Sequence, residues 1–73
     1  MAYLVKHGSR LIASGNREDA LATAMKVSQL FVGIIHVEGG DGRIVRRYVY
    51  GKSMPSMEKA RHALVYLKYC TEV

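Results

Sequence analysis

Few side chains in this 73-residue chain are suited to covalent chemistry. The candidate nucleophiles are Ser9, Ser14, Ser28, Ser53, Ser56 and Cys70, and the candidate bases are His7, His36 and His62. Hydrolytic chemistry needs a nucleophile held against a base, yet the sequence has no nucleophile elbow and no pair of carboxylates suited to a cleft. Cys70 and the histidines also lack the close spacing of zinc ligands. We therefore predict a protein that is not an enzyme and has no catalytic, metal-binding or cofactor-binding residues.

The segment Gly39-Gly40-Asp41-Gly42 has the composition of a phosphate-binding glycine loop. A loop of that kind leads directly into a helix, whose N-terminus helps to hold the anion. The residues that follow, 43–50, are branched and aromatic and favour a strand instead. The segment is therefore predicted to be a hairpin turn, in which the glycines supply positive φ angles.

The stretch 43–51 carries the chemistry of a binding strand. Three arginines and two tyrosines stand there among branched apolar residues, and a lysine follows: Arg43, Arg46, Arg47, Tyr48, Tyr50 and Lys52. Arginines offer forked donors to phosphate and carboxylate groups, and exposed tyrosines stack on nucleic-acid bases for about 1–3 kcal/mol each. The formal charge of +5 also favours an anionic partner, although small proteins are basic for solubility alone as well.

Two short β-favouring runs, residues 3–7 and 10–14, begin the chain and are separated by Gly8-Ser9. Glycine first in a two-residue loop is the requirement of a type II′ turn, so these runs are predicted to form a hairpin. A two-residue loop would pair Val5 with Ile12.

A helix is predicted after this hairpin, because Asn16 is a good N-cap and acidic residues follow it. Its apolar side is made by residues at helical spacing: Ala20, Leu21, Ala24, Val27, Ser28 and Phe31. Since Ala20, Ala24 and Ser28 are small, we expect this helix to lie close to the sheet.

A second hairpin is predicted from residues 34–38, the glycine turn and residues 43–50, with Glu38 opposite Arg43. One face would carry Ile35, Val37, Ile44, Arg46, Tyr48 and Tyr50, and the other Ile34, His36, Glu38, Arg43, Val45, Arg47 and Val49. The first set is predicted to pack under the helices, with Arg46 at the rim. The second set is predicted to face outward.

Residues 51–56 are linker-like, and a last helix is predicted from about Pro55 to Cys70. Its core side carries Met57, Ala60, Ala63, Leu64, Leu67 and Cys70. Val65 and Tyr69 lie on the opposite side, which indicates a contact surface there. The chain is thus predicted to be one α+β domain over residues 1–73, of order β-β-α-β-β-α, with a mostly antiparallel sheet and both helices on one face.

A chain this short has a small core, and pairing with a second copy would add to it, so a homodimer through the sheet or the last helix is expected. One cysteine makes no internal disulfide, and neither a signal peptide nor a membrane-spanning run is apparent. We therefore expect a cytoplasmic protein that does not enter a membrane.

Three segments carry a resemblance to a known family: residues 16–20, 41–44 and 48–51. With these, residues 1–51 resemble a family of short uncharacterised bacterial and phage domains built as hairpin, helix and hairpin. The resemblance implies the fold and no activity, since the family has none assigned. The compact, basic chain also looks like the small accessory proteins that phages encode to occupy a host target.

The sequence predicts a small basic binding protein that docks on an acidic macromolecular partner and blocks it. The predicted contact residues are Arg43, Val45, Arg46, Arg47, Val49, Lys52, Arg61, Val65 and Tyr69. The alternative is a module that binds nucleic acid or a nucleotide through the second hairpin, with Tyr48 and Tyr50 stacking on bases. Exposure of these tyrosines decides between the two interpretations.

Overall fold

The structure, a computed structural model, describes the backbone of residues 2–71 and the side chains of residues 2–66. Its elements are β1 (Tyr3–His7), β2 (Arg10–Gly15), α1 (Arg17–Leu30), β3 (Ile35–Glu38), β4 (Ile44–Val49), β5 (Lys52–Met54) and α2 (Met57–Thr71). Within the described residues, neither helix has the length and apolar character needed to cross a bilayer.

The five strands form one open antiparallel sheet in the order β2-β1-β3-β4-β5. The two hairpins are joined in the middle by the pairing of β1 with β3. The predicted α+β class and the antiparallel sheet are therefore confirmed.

The first hairpin has the predicted turn but a shifted register. Gly8 has a φ of 63°, and His7 pairs with Arg10 across the two-residue loop. A β-bulge follows, with Ile12 as the extra residue, so Val5 pairs with Ala13 and not with Ile12 as predicted. The bulge bends the edge strand β2 and interrupts its alternation of faces.

Helix α1 begins as predicted, since the Asn16 side chain accepts a hydrogen bond of 2.9 Å from the Asp19 backbone N–H. It packs on one face of the sheet, here called the inner face, and contacts all five strands. Its buried residues are the predicted small ones, Ala20, Ala24 and Ser28. They meet a sheet core made of Val5, Ile35, Val37 and Tyr48.

The tip of the second hairpin is a three-residue loop, closed by a 2.8 Å hydrogen bond from the Gly39 N–H to the Arg43 carbonyl. Gly42 has a φ of 83°, which fits the left-handed position of this loop. A second bulge then makes Val45 an extra residue, so Glu38 pairs with Ile44 and not, as predicted, with Arg43.

This second bulge reverses the predicted faces of two residues. Ile44 shares the face of Glu38 and lies on the side away from α1. A Val45 methyl and the Tyr3 ring both lie within 4 Å of the position that a Cβ on Gly39 would take. Because Tyr3 packs against the inner core, Val45 belongs to the inner side and not to the outer face as predicted.

Residues 51–56 are not simply a linker. Tyr50 and Gly51 have φ angles of 52° and 80°, the pattern of a type I′ turn, and the chain returns as β5. The Gly51 N–H donates a 2.8 Å hydrogen bond to the Ser28 hydroxyl, which donates in turn to the Met25 carbonyl. This buried hydroxyl therefore ties the turn to α1.

Helix α2 lies against the other face of the sheet, here called the outer face. It contacts β4 and β5, and among the described residues it does not contact α1. Met57 and Leu64 of this helix line a cavity together with His36 and Arg47, a cross-strand pair that points away from α1. The prediction of both helices on one face is thus wrong in this detail, because an amphipathic stripe does not specify which sheet face it covers.

Candidate binding surface on the basic half

The positive charge of the chain is concentrated in its second half. Residues 1–42 contain four Lys or Arg and four Asp or Glu, whereas residues 43–73 contain seven and two. The entire excess of +5 therefore belongs to β4, β5, α2 and the segments that join and follow them. Among the described side chains of this half, the basic ones are Arg43, Arg46, Arg47, Lys52, Lys59 and Arg61, and the acidic one is Glu58.

The three arginines around β4 point in different directions. Arg43 sits at the hairpin tip with 88% of its side chain exposed, and its Nε lies 3.6 Å from Asp41 Oδ2. An ion pair this exposed contributes little stability, so both groups are available to a partner. Arg46 is opposite Val37 at the rim of the inner face and is exposed, whereas Arg47 is half-buried on the outer face.

Helix α2 and strand β5 extend this basic surface. Lys52 lies at the edge of the sheet and Arg61 on the helix, and both are exposed. Val65 and Tyr66 on α2 are 58% and 60% exposed, and the Tyr66 ring stacks on His62 at 6.0 Å between centroids. An apolar and aromatic patch thus lies beside the basic groups, and Val65 is part of it.

Two of the predicted contact residues are not found on the described surface. Tyr69 falls outside the described side chains. Val49 was predicted to be an outward contact, but it is fully buried on the face that α2 covers. Tyr66 was missed, although its spacing of four residues from His62 was a usable signal.

The two tyrosines of the second hairpin do not form a stacking platform. Tyr48 is 6% exposed and belongs to the inner core, as predicted. Tyr50 is half-buried and occupies a turn position with positive φ, where a bulky residue is strained. The aromatic surface on which the nucleic-acid alternative depended is therefore largely covered.

A cluster of ionisable groups lies on the outer face over β1 and β3. Lys6 Nζ is 2.6 Å from Glu38 Oε2, and His36 Nε2 is 3.7 Å from Glu38 Oε1. The hydrogen bond from Lys6 lowers the pKa of Glu38 below its ordinary value. Burial lowers the pKa of His36, an effect reinforced by Lys6 and Arg47 and opposed by Glu38.

The His36 side chain contains a buried polar atom that is not hydrogen-bonded to any described residue. Its Nε2 atom is buried and has no hydrogen-bond partner among the described residues. Buried polar atoms are nearly always paired, so an unpaired one calls for an explanation.

A cavity of about 490 Å³ separates α2 from the outer face next to His36. Its described lining residues are His7, Gly8, Val32, Gly33, Ile34, His36, Ile44, Arg47, Met57 and Leu64. A second cleft of about 380 Å³ adjoins the first at His7, and its other lining residues are Arg10, Leu11, Ile12, Phe31 and Ile35. Neither cavity was predictable from the sequence, since a cavity depends on the distance between elements.

Within the described residues, no three His, Cys, Asp or Glu side chains come together in a way that could hold a metal ion. Comparison of the chain with protein-family models, with curated proteins and with solved structures gives no match. The resemblance to the hairpin, helix and hairpin family accordingly stays a prediction.

Proposed function

We propose that this protein is a non-enzymatic binding module that docks its basic half on an acidic surface of another protein and thereby blocks that surface. The observation that carries the proposal is the segregation of charge: a neutral first half and a second half that holds the whole excess. Charge concentrated in this way speeds encounter with a partner of opposite sign and selects against partners of like sign.

The apolar patch on α2 supports a protein partner. Interfaces combine charged residues at the rim with buried aromatic and aliphatic anchors, and Arg and Tyr are frequent among the anchors. Val65 and Tyr66 are exposed beside Arg61 on the same helix. The covered tyrosines weaken the alternative of a single-stranded nucleic acid, which gains much of its affinity from base stacking.

The test is affinity capture from the native host, followed by quantitative mass spectrometry. The double variant Arg43→Glu, Arg61→Glu reverses two exposed charges of the basic half, and we expect it to lose the captured partner. The matched control Arg17→Glu, Lys26→Glu makes the same change of net charge on exposed residues of α1. We expect this control to keep the partner.

Capture that is equal for both double variants would rule out the basic half as the docking surface. Titration with a labelled single-stranded oligonucleotide at two salt concentrations tests the alternative, because phosphate contacts lose affinity steeply with salt. Tight binding at low salt that the basic-half variant alone abolishes would favour the nucleic-acid function over the protein one.

We further propose that the protein forms a homodimer through its neutral half. Leu30, Phe31 and Val32 at the end of α1 are 80%, 59% and 68% exposed, and Leu11 on the edge strand β2 is 55% exposed. Apolar side chains this exposed and this close together are typical of an interface. Two copies meeting here bring together the halves that carry no net charge, whereas meeting through α2 would oppose like charges.

Sedimentation velocity of the wild type and two single variants tests the dimer. Phe31→Glu places a charge in the proposed interface and is expected to give a monomer. Val65→Glu makes the same change at a similarly exposed site on α2 and is expected to leave the dimer intact. A wild type that is monomeric at high concentration contradicts the proposal, as does dissociation by the α2 variant alone.

A further inference from the structure

We propose that the cavity between α2 and the outer face is a binding site for a small amphipathic carboxylate, that is, a short apolar chain with one anionic end. The site lies partly within the basic half, since Arg47 lines it, but it does not depend on the docking function proposed above. It is carried by two observations: an apolar cavity of suitable size, and a guanidinium in its wall that forms no ion pair with another described residue.

The size and the walls of the cavity suit the apolar part of such a ligand. Its volume of about 490 Å³ falls in the range of small-molecule sites, roughly 300–1,000 Å³. Aliphatic side chains come from both layers, namely Ile34 and Ile44 from the sheet side and Met57 and Leu64 from α2. Ile44 and Met57 are 41% exposed each without a ligand, so an apolar chain laid between them would remove this surface from water.

The polar end of the cavity suits an anion. His36 and Arg47 are directly opposite each other on β3 and β4 and therefore project side by side. The Arg47 guanidinium offers a forked pair of donors that matches a carboxylate. Arg47 forms no ion pair with another described residue.

The carboxylate nearest to this pair is already engaged. Glu38 lies 2.6 Å from Lys6, and its other oxygen is 3.7 Å from His36 Nε2, beyond hydrogen-bond distance. A ligand carboxylate would pair with the Arg47 guanidinium, which lines the cavity, whereas the buried Nε2 atom of His36 is not accessible to it. A neutral ligand of the same length would fill the apolar part and leave the guanidinium without a partner, which is why the proposal specifies an anion.

Calorimetric titration with octanoate and with octanol tests the site, because the two probes share the apolar chain and differ in charge. We expect octanoate to bind about tenfold more tightly than octanol, the factor given by one charge-assisted hydrogen bond. In Arg47→Gln this preference is expected to disappear. Arg46→Gln is the matched control, since it removes the same charge from the neighbouring residue on the opposite face.

Amide chemical shifts locate the bound probe independently of any variant. Octanoate is expected to shift the amides of His36, Ile44 and Leu64 and to leave those of Val5 and Ala24 in the inner core unchanged. Leu64→Trp, which fills the cavity, is expected to lose both probes. Equal affinity for the two probes, shifts centred elsewhere, or an equal loss in Arg46→Gln would each overturn the proposal. If Arg47→Gln does not fold, the probe pair and the shift map on the wild type decide.

Discussion

Helices α1 and α2 cover opposite faces of the same sheet with different kinds of contact. Under α1 the buried side chains are small, Ala20, Ala24 and Ser28, so the helix approaches the strands closely. The buried hydroxyl of Ser28 both donates and accepts a hydrogen bond. Under α2 the sheet presents His36 and Arg47, and a cavity of about 490 Å³ lies between the layers.

Because of this difference, the inner layer is suited to stabilising the fold and the outer layer is suited to binding. The inner layer buries the apolar side chains of the sheet core, and its buried Ser28 hydroxyl is hydrogen-bonded, which favours stability in a short chain. The outer layer leaves a buried imidazole nitrogen unpaired and several apolar side chains half-exposed. Groups left in this state cost stability and are expected where a fold meets a ligand or partner.

The largest expected effect on the free energy of unfolding comes from shortening a buried side chain of the inner core. Ile35 is fully buried, and Ile35→Ala is expected to lower the free energy of unfolding by about 2–5 kcal/mol. Leu64→Ala, on the cavity side of α2, is expected to lower it by about 1 kcal/mol, because that side chain is only partly buried. Urea denaturation measures both, and equal losses would show that the two layers contribute alike.

Substitutions that enlarge a side chain also test the difference in packing between the two layers. Ala24→Leu forces extra methyl groups between α1 and the strands and is expected to cost about 1–3 kcal/mol. Leu64→Phe adds the same number of carbon atoms beside the cavity and is expected to change stability by less than about 0.5 kcal/mol. A large loss in Leu64→Phe would mean that the outer layer is as tightly packed as the inner one.

Removal of the Ser28 hydroxyl tests how the inner layer is held to the β4–β5 turn. Ser28→Ala leaves the Gly51 N–H without its partner and is expected to cost about 1–3 kcal/mol. Ser53→Ala, at an exposed position of β5, is the control and is expected to stay within about 0.5 kcal/mol of the wild type. Thermal unfolding followed by circular dichroism compares the two variants. Equal midpoints would mean that the hydrogen bond between Gly51 and Ser28 does not contribute to stability.

The parts of the fold that local signals specify were predictable. Asn16 caps α1, Gly8-Ser9 makes the first turn, and small residues mark the side of α1 that packs on the sheet. These features depend on a few neighbouring residues and on fixed backbone geometry. The two bulges were not predictable, because an extra residue at Ile12 or Val45 is chosen by the partner strand and the core beneath it.

The remaining differences have a similar cause. The β4–β5 turn places Tyr50 where glycine or asparagine is usual, so no sequence signal announced β5. The apolar stripe of α2 fixed which side of the helix is buried but not which face of the sheet receives it. Because α2 covers the outer face, Val49 is buried, although it was predicted to be a contact residue. The cavity beside His36 results from the same arrangement.

The smallest expected effect concerns His36 and pH. Burial holds the pKa of folded His36 below its ordinary value of 6.5, with Lys6 and Arg47 acting in the same direction and Glu38 in the opposite one. Between the folded pKa and 6.5 the unfolded chain binds more protons than the folded one, so stability falls as the pH is lowered through this window. Glu38, whose pKa is also lowered, loses its contribution only below about 4.5 and does not interfere at pH 5 and above.

Urea denaturation at a series of pH values from 7.5 down to 5 measures this dependence. His36→Gln keeps a polar side chain but does not titrate, so its stability is expected to vary less with pH than that of the wild type. His62→Gln is the matched control, since His62 is exposed on α2, and it is expected to retain the wild-type slope. An unchanged slope in His36→Gln would mean that the outer face does not hold this imidazole in its neutral form, and the contrast between the two layers would then rest on packing alone.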